Sequence, residues 1–264
     1  MKRVLITGAE GNIGSSMRSL LADRYELHAL TRESVPGLES FVADIGGDLD
    51  ALLPAFVGMD AVLHLAGSSG MQHPWEAVLH NNIIGTYNVF EAARQQGVKQ
   101  IVYASSNHAV GLYELDRMPE LYKRRAGLEL DHTAPVRPDS LYGVSKVFGE
   151  GLARYYSDKF GLSIYCVRIG TARLDDSPNS DAARKGQAWL PLPEEANLRR
   201  MASTWQSKRD LADEIDACLQ AEDVKFDIFY GVSDNPFRFW DLEHVRAVIG
   251  WHPRDGAPDP TESV

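Results

Sequence analysis

Short apolar runs rich in β-branched residues alternate with longer amphipathic stretches along most of the chain. The apolar runs predict strands at 3–7, 26–31, 61–66, 100–105, 163–169 and 226–230, each short enough and apolar enough to lie buried in a parallel sheet. Stretches with helical spacing predict helices over 12–23, 48–57, 74–96, 140–160 and 208–221. Pro74 suits the first turn of its helix. Strict alternation of strand and helix implies an α/β fold, a doubly wound parallel sheet with right-handed crossovers. Three stretches break the rhythm: 107–138, 171–207 and 235–264. Two of them follow a strand's C-terminal end, where such sheets bind ligands. The chain therefore reads as one domain over 1–264, with these three stretches as substrate-recognition segments and the last of them closing a small C-terminal region. Residues 255–264 read as a frayed tail. The chain carries no internal repeat.

The first strand runs into Thr7-Gly8-Ala9-Glu10-Gly11-Asn12-Ile13-Gly14, and a helix follows. Gly8 permits a tight turn, Gly11 lets backbone approach a pyrophosphate, and Gly14 allows close helix packing, with the helix N-terminus facing the anion. A plain glycine-rich turn is the competing reading, and the strand before and helix after it favour the dinucleotide. The second strand ends Leu30-Thr31-Arg32-Glu33. An acid near this point accepts the ribose hydroxyls of NAD, whereas an arginine suits the 2′-phosphate of NADP. Thr31 holds the expected acidic position and Arg32 follows it, so the reading leans to NADP, against a surface arginine paired with Glu33. Asp44-Ile45 is placed by the adenine, and Leu65-Ala66-Gly67, after the third strand, is placed along the cofactor.

Tyr142 and Lys146 stand four residues apart on a predicted helix and so share a face. A free tyrosine titrates at about pH 10, too high for a good base at neutral pH. A neighbouring ammonium favours the phenolate. The pair reads as a tuned general acid/base, and a nicotinamide nearby would make the reaction hydride transfer. By itself Tyr-x-x-x-Lys also describes a solvated helix face.

Composition narrows the field. The chain has 264 residues, 44% hydrophobic and 24% charged, with a formal net charge of −10. That balance argues against nonspecific nucleic-acid binding and against an anionic membrane surface. No apolar run approaches the roughly 20 residues that span a bilayer, and the sequence goes directly from Met1 into a strand, so no signal peptide is expected. Cys166 and Cys218 are too few for a disulfide framework and lack metal-ligand spacing, so no metal is expected and Cys166 reads as an inert core thiol. The expected compartment is the cytoplasm.

Taken in order, Thr7 to Gly14, His64-Leu65-Ala66-Gly67, Asn82-Ile83-Ile84-Gly85-Thr86, Ser105-Ser106 and Tyr142 with Lys146 resemble the extended short-chain dehydrogenase/reductase superfamily, the NAD-dependent epimerase/dehydratase group of Rossmann proteins. Further stretches resemble the uronate dehydrogenases: His73-Pro74-Trp75-Glu76, Tyr87-Asn88 after Thr86, Ala104 to His108, Arg137 to Gly143, Arg168-Ile169-Gly170 and Arg200 to Trp205. Those enzymes pass hydride from the anomeric carbon of glucuronate or galacturonate to a nicotinamide, giving an aldarolactone. The resemblance implies roles. Tyr142 would take the proton of the anomeric hydroxyl, Lys146 would lower its pKa and bind the nicotinamide ribose, and Ser106 would hydrogen-bond the same sugar oxygen. Asn107, His108 and Ser68 or Ser69 would bind other hydroxyls, with Thr171 standing where the family tends to have serine. Arg200 would clamp the uronate carboxylate. Asn82 would orient the lysine, and Ile169 joins the cofactor-binding positions. A homo-oligomer, paired through the helices at 74–96 and 140–160, is also implied.

Two departures stand out. Thr31-Arg32 replaces the acid of an NAD enzyme, and an extra charged segment of about 114–130 follows the Ser-Asn-His motif, where it would cover the site and alter the substrate. The rival enzyme reading is a nucleotide-sugar epimerase, dehydratase or reductase; only 95 residues follow Ile169, which favours a small free sugar. A nonenzymatic dinucleotide sensor of the same fold is the rival from another class, and the retained Tyr142 and Lys146 argue against it. His64 reads as a core histidine, Lys123-Arg124-Arg125 as a solvated face, and Trp189, Trp205, Trp240 and Trp251 as packing residues.

Overall fold

A computed structural model of the chain describes residues 1–123 and 129–260. Part of the extra segment and of its basic run, at 124–128, and the end of the tail, at 261–264, lie outside the described residues. The strands are β1 (Arg3–Thr7), β2 (Glu26–Thr31), β3 (Glu39–Val42), β4 (Ala61–His64), β5 (Gln100–Ser106), β6 (Ser163–Ile169) and β7 (Phe226–Gly231). They form one parallel sheet in the order β3-β2-β1-β4-β5-β6-β7. The helices are α1 (Asn12–Leu20), α2 (Leu49–Phe56), α3 (Trp75–Val78), α4 (Gly85–Gln95), α5 (Leu112–Leu115), α6 (Leu141–Phe160), α7 (Asp181–Lys185), α8 (Glu194–Thr204), α9 (Lys208–Gln220) and α10 (Glu243–Ile249).

Successive residues of a strand face opposite sides of a sheet, and the core divides on that rule. Val4, Ile6, Leu63, Val102 and Val167 pack with α1 and α9 through Met17, Leu211 and Ile215. Leu5, Val62, Ile101, Ile164 and Cys166 pack on the other face with Phe56 of α2, Phe90 of α4 and Ala153 of α6. Burial on both faces is why these strands read as continuous apolar runs. Strand order reverses between β1 and β4, and a crevice opens there at the strands' C-terminal ends.

The sequence missed β3, a four-residue, half-exposed edge strand whose Glu-Ser-Phe-Val pattern has no apolar run. The helix expected over 74–96 is interrupted by a wider π-helical segment, Leu79–Ile84, between α3 and α4. The stretches that broke the rhythm also hold helices. The longest is α8, which opens after Pro193 with Glu194 and Glu195 in its first turn. Its inward face carries Asn197, Arg200, Ser203 and Thr204 as well as Met201 and Ala202, so no apolar stripe marks it.

Candidate active site

A single cleft of about 1090 Å³ runs from the turn after β1, across the ends of β4 and β5, to α8. Of the residues assigned from the sequence to catalysis, cofactor or substrate, all but Asn82 line it. The segment 107–138 contributes Asn107 and His108 to its wall, and 171–207 contributes Thr171, Ala172, Gln187, Trp189 and Arg200, whereas no described residue of 235–264 reaches it.

The first half of the cleft is a backbone cradle. Gly8 has φ +70°, and a Cβ there would come within 2.9 Å of the Ala66 backbone. A Cβ on Gly14 would lie 2.2 Å from the Gly8 carbonyl oxygen, so α1 starts closer to the turn than any side chain permits. No side chain caps α1, which leaves its first amides facing the cleft. Asn12 donates its amide to the Ala172 carbonyl at 3.1 Å, while its buried Oδ1 has no hydrogen-bond partner among the described residues. A glycine cradle, a free helix N-terminus and an unpartnered acceptor fit a dinucleotide phosphate and ribose. On the rim, Thr31 is buried with its hydroxyl turned back to the Glu33 carbonyl, 2.6 Å away. Arg32 is exposed there and makes no ion pair among the described residues. Asp44 accepts from His80 and from the Gly46 amide, and the His80 bond above all, with the Gly46 amide and the nearby Arg32, holds its pKa below the usual range against its partial burial.

The second half carries the reactive groups. Ser140 caps α6 by accepting from the Gly143 amide, which sets the helix start and puts Tyr142 in its first turn, half-buried. Burial pushes the Tyr142 phenol up to about 12, a hydrogen bond with Ser106 pulls it down, and the charge of Asp139 raises it. Lys146 is buried one turn later, donates Nζ to the Ala104 carbonyl at 2.7 Å, and stands 5.5 Å from the centre of the Tyr142 ring. Burial lowers its pKa to about 8, against the pull of Glu150 a further turn along α6. In this arrangement the Lys146 ammonium is turned to the Ala104 carbonyl at the end of β5, beside the Tyr142 ring.

Asn82 lies behind the cleft, in the π-helical segment. Its Oδ1 accepts from the Ser68 amide at 2.7 Å, and its amide donates to Ser145 Oγ at 2.9 Å. It thus ties the loop after β4 to the helix that carries Lys146, at one remove from the lysine itself. His64 is neutral, its pKa lowered by burial to about 3, with Thr7 Oγ1 and Thr86 Oγ1 at 2.7 and 3.2 Å: a satisfied core histidine.

Three acids escaped the sequence reading. Asp139 takes a hydrogen bond from His108 Nδ1 at 2.7 Å and is almost wholly buried. Glu150 grips Arg168 through two bonds of 2.8 Å and accepts from Ser105 at 2.6 Å. Glu114, in α5, pairs with Arg200 at 2.7 Å, both buried. An isolated acid carries no periodic signal, although Glu150 lies at i+4 from Lys146 and was findable. Trp189, expected as packing, instead stands in the cleft, edge-on to His108 at 5.7 Å and 5.5 Å from the Arg200 guanidinium. It sits on a short bridged turn, Gln187 to Leu190, that buries little else. Among the described residues no cluster of His, Cys, Asp or Glu could hold a metal, and no helix is long and apolar enough to cross a membrane.

Residues 4–191 match the model of the NAD dependent epimerase/dehydratase family. The chain is 38% identical to an NAD-dependent glucose-6-phosphate dehydrogenase of Haloferax volcanii, over 98% of this chain and 95% of that one. It is also 38% identical to a uronate dehydrogenase of Agrobacterium fabrum, over 100% and 94%. A crystal structure of uronate dehydrogenase from Agrobacterium tumefaciens, a mutant complexed with NAD, superposes with a TM-score of 0.79 at 35% identity, covering 99% of this chain and 93% of that one.

Proposed function

We propose, from the premise that this chain belongs to the NAD dependent epimerase/dehydratase family, that it oxidises the anomeric carbon of a sugar acid of the glucuronate or galacturonate kind to a lactone. The observation that carries the reading is the meeting of Tyr142, Ser106 and Lys146 at one end of a cleft whose other end is the glycine cradle. A nicotinamide bound there supplies the acceptor for the hydride that leaves the sugar's C1. Tyr142 takes the proton of the C1 hydroxyl, so that carbon loses a hydride, oxygen loses a proton, and a C=O forms. Ser106 holds both the phenol and the sugar oxygen, which narrows the approach geometry. Lys146 places positive charge near the phenol as it ionises. Asn107, His108, Ser68, Ser69 and Thr171 hold the remaining hydroxyls, and Arg200 faces the far end of the sugar. Both relatives at 38% identity carry names of sugar dehydrogenases, one for a uronate and one for a sugar phosphate.

The cofactor is read as NADP, with NAD also accepted. Support comes from the absence of an acid at Thr31 and from the unpaired Arg32 on the rim, whose planar guanidinium suits a 2′-phosphate. The whole chain is read as one dinucleotide-binding domain, with 107–138 and 171–207 supplying substrate recognition. Tyr87 of α4 and Val144 and Tyr155 of α6 are exposed apolar side chains that suit contact with a second copy. Two buried, unpaired thiols suit a reducing compartment, the cytoplasm.

The test mixes purified protein with glucuronate or galacturonate and, separately, NAD or NADP, and follows near-ultraviolet absorbance. Rapid appearance of reduced cofactor with either acid is the expected result. No signal in all four mixtures would overturn the reading.

A further inference from the structure

The far end of the sugar site is set by a pair that straddles two segments of the chain. Arg200 comes from α8 and Glu114 from α5, at the start of the extra charged segment. Arg200 Nε donates to Glu114 Oε1 at 2.7 Å, with Nη2 and Oε2 at 3.4 Å, and both side chains are under 5% exposed. Tyr122, further along the same segment, donates to Glu114 Oε1 at 2.7 Å and is buried with it. The guanidinium thus presents its Nε edge to a resident carboxylate and reaches the cleft beside Trp189 with the rest of its plane.

A guanidinium offers five donors in a fixed fork, and its best match to a carboxylate is bidentate. Here one such match is already made inside the protein. Burial penalises the Arg200 charge, and the adjacent Glu114 more than restores it, so the arginine stays cationic while the pair as a whole is neutral. A second carboxylate entering from the cleft would meet a donor but little net field, and would lie near the negative charge of Glu114. A hydroxyl meets the same donor without that repulsion.

We propose that Glu114 is a specificity-determining residue: by cancelling the charge of Arg200 it lets the site accept the neutral hydroxymethyl end of an aldose alongside the carboxylate of a sugar acid. The inference rests on the C1-oxidation reading given above and names the substrate class more broadly.

The experiment compares kcat/KM for two matched pairs, glucuronate with glucose and galacturonate with galactose, in the wild type and in Glu114→Gln. Glutamine keeps the shape and one acceptor oxygen but removes the charge. The wild type is expected to favour the acid by no more than about tenfold, and Glu114→Gln to raise the acid-to-aldose ratio by at least about tenfold, carried by KM, in line with the freeing of one desolvated charge. Glu114→Asp, which keeps the charge, is expected to hold the wild-type ratio. A ratio that does not move in Glu114→Gln, with circular dichroism showing a folded protein, overturns the proposal. So does a wild-type preference for the acid well beyond that tenfold bound, a measurement that needs no variant. Turnover with an unmoved ratio sinks this inference alone, whereas no turnover on any of the four sugars sinks the C1-oxidation reading along with it.

Discussion

His108 Nδ1 lies 2.7 Å from Asp139 Oδ2, and the His108 ring stands edge-on to Tyr142 with centroids 5.6 Å apart. Gly111 makes room for this: a Cβ there would fall 1.8 Å from the same Asp139 oxygen. Asp139 therefore does two things, fixing which face of His108 meets the cleft and raising the pKa of Tyr142 by its charge. In Asp139→Asn the imidazole loses its ionic partner, and KM for the sugar should rise roughly ten- to hundredfold. The same change removes a negative charge that disfavours phenolate, so the Tyr142 pKa should fall. Activity that requires phenolate rises as pH climbs through that pKa, so the rise should move to lower pH in the variant. A pH profile of kcat/KM for both proteins checks the direction, and an unshifted profile would remove Asp139 from that role.

Tyr142→Phe deletes the group that accepts the proton and little else, since the ring keeps its place beside His108 and Lys146. Loss of a positioned acid/base should lower kcat by about 10²–10⁴-fold. Cofactor affinity, read by fluorescence titration, should stay within a few-fold, because the cradle at Gly8, Gly11 and Gly14 is remote from the phenol. Full turnover in this variant would show that another group is the base.

Arg32→Ala tests the cofactor. The side chain is exposed and makes no ion pair among the described residues, so its removal costs little stability. If it reads a 2′-phosphate, the NADP-to-NAD ratio of kcat/KM should fall at least about tenfold, the worth of one charge-assisted contact. A ratio that stays put would free Arg32 from the assignment.

Lys146 leaves a signature in stability as well as in rate. Burial depresses its folded pKa from 10.5 to about 8 in the free protein. Between those values the unfolded chain binds the proton that the folded chain has released. Stability therefore rises with pH across that window on account of this lysine. Denaturant titrations of wild type and Lys146→Met at pH 8, 9 and 10 should show the wild type gaining on the variant as pH rises. Parallel curves would mean that Lys146 keeps an ordinary pKa.

Much of this architecture was legible in the chain because burial on both faces of a parallel sheet demands unbroken apolar runs. All strands but β3 were visible that way, and the glycine spacing from Gly8 to Gly14 has few other uses between a strand and a helix. What stayed hidden shares a cause. β3 and the bridged turn at Trp189 bury too little to leave a pattern. In α8 the inward face mixes polar Asn197, Arg200 and Ser203 with Met201 and Ala202, so periodicity cannot separate it from solvent. The π-helical segment at Leu79–Ile84 leaves no mark on a helical wheel over 74–96.

The sequence by itself determined every strand but β3, the glycine turn and the shared helix face of Tyr142 and Lys146, since each rests on local spacing and on side-chain chemistry that travels with the residue, whereas Ser106 entered only through resemblance. The tertiary structure alone decided which charges meet. Glu114 and Arg200 are 86 positions apart and His108 and Asp139 are 31 apart, and nothing local in either pair announces the other. An electrostatic interaction depends on distance and on the surrounding dielectric, and both are set only when separate segments close over one another and expel water.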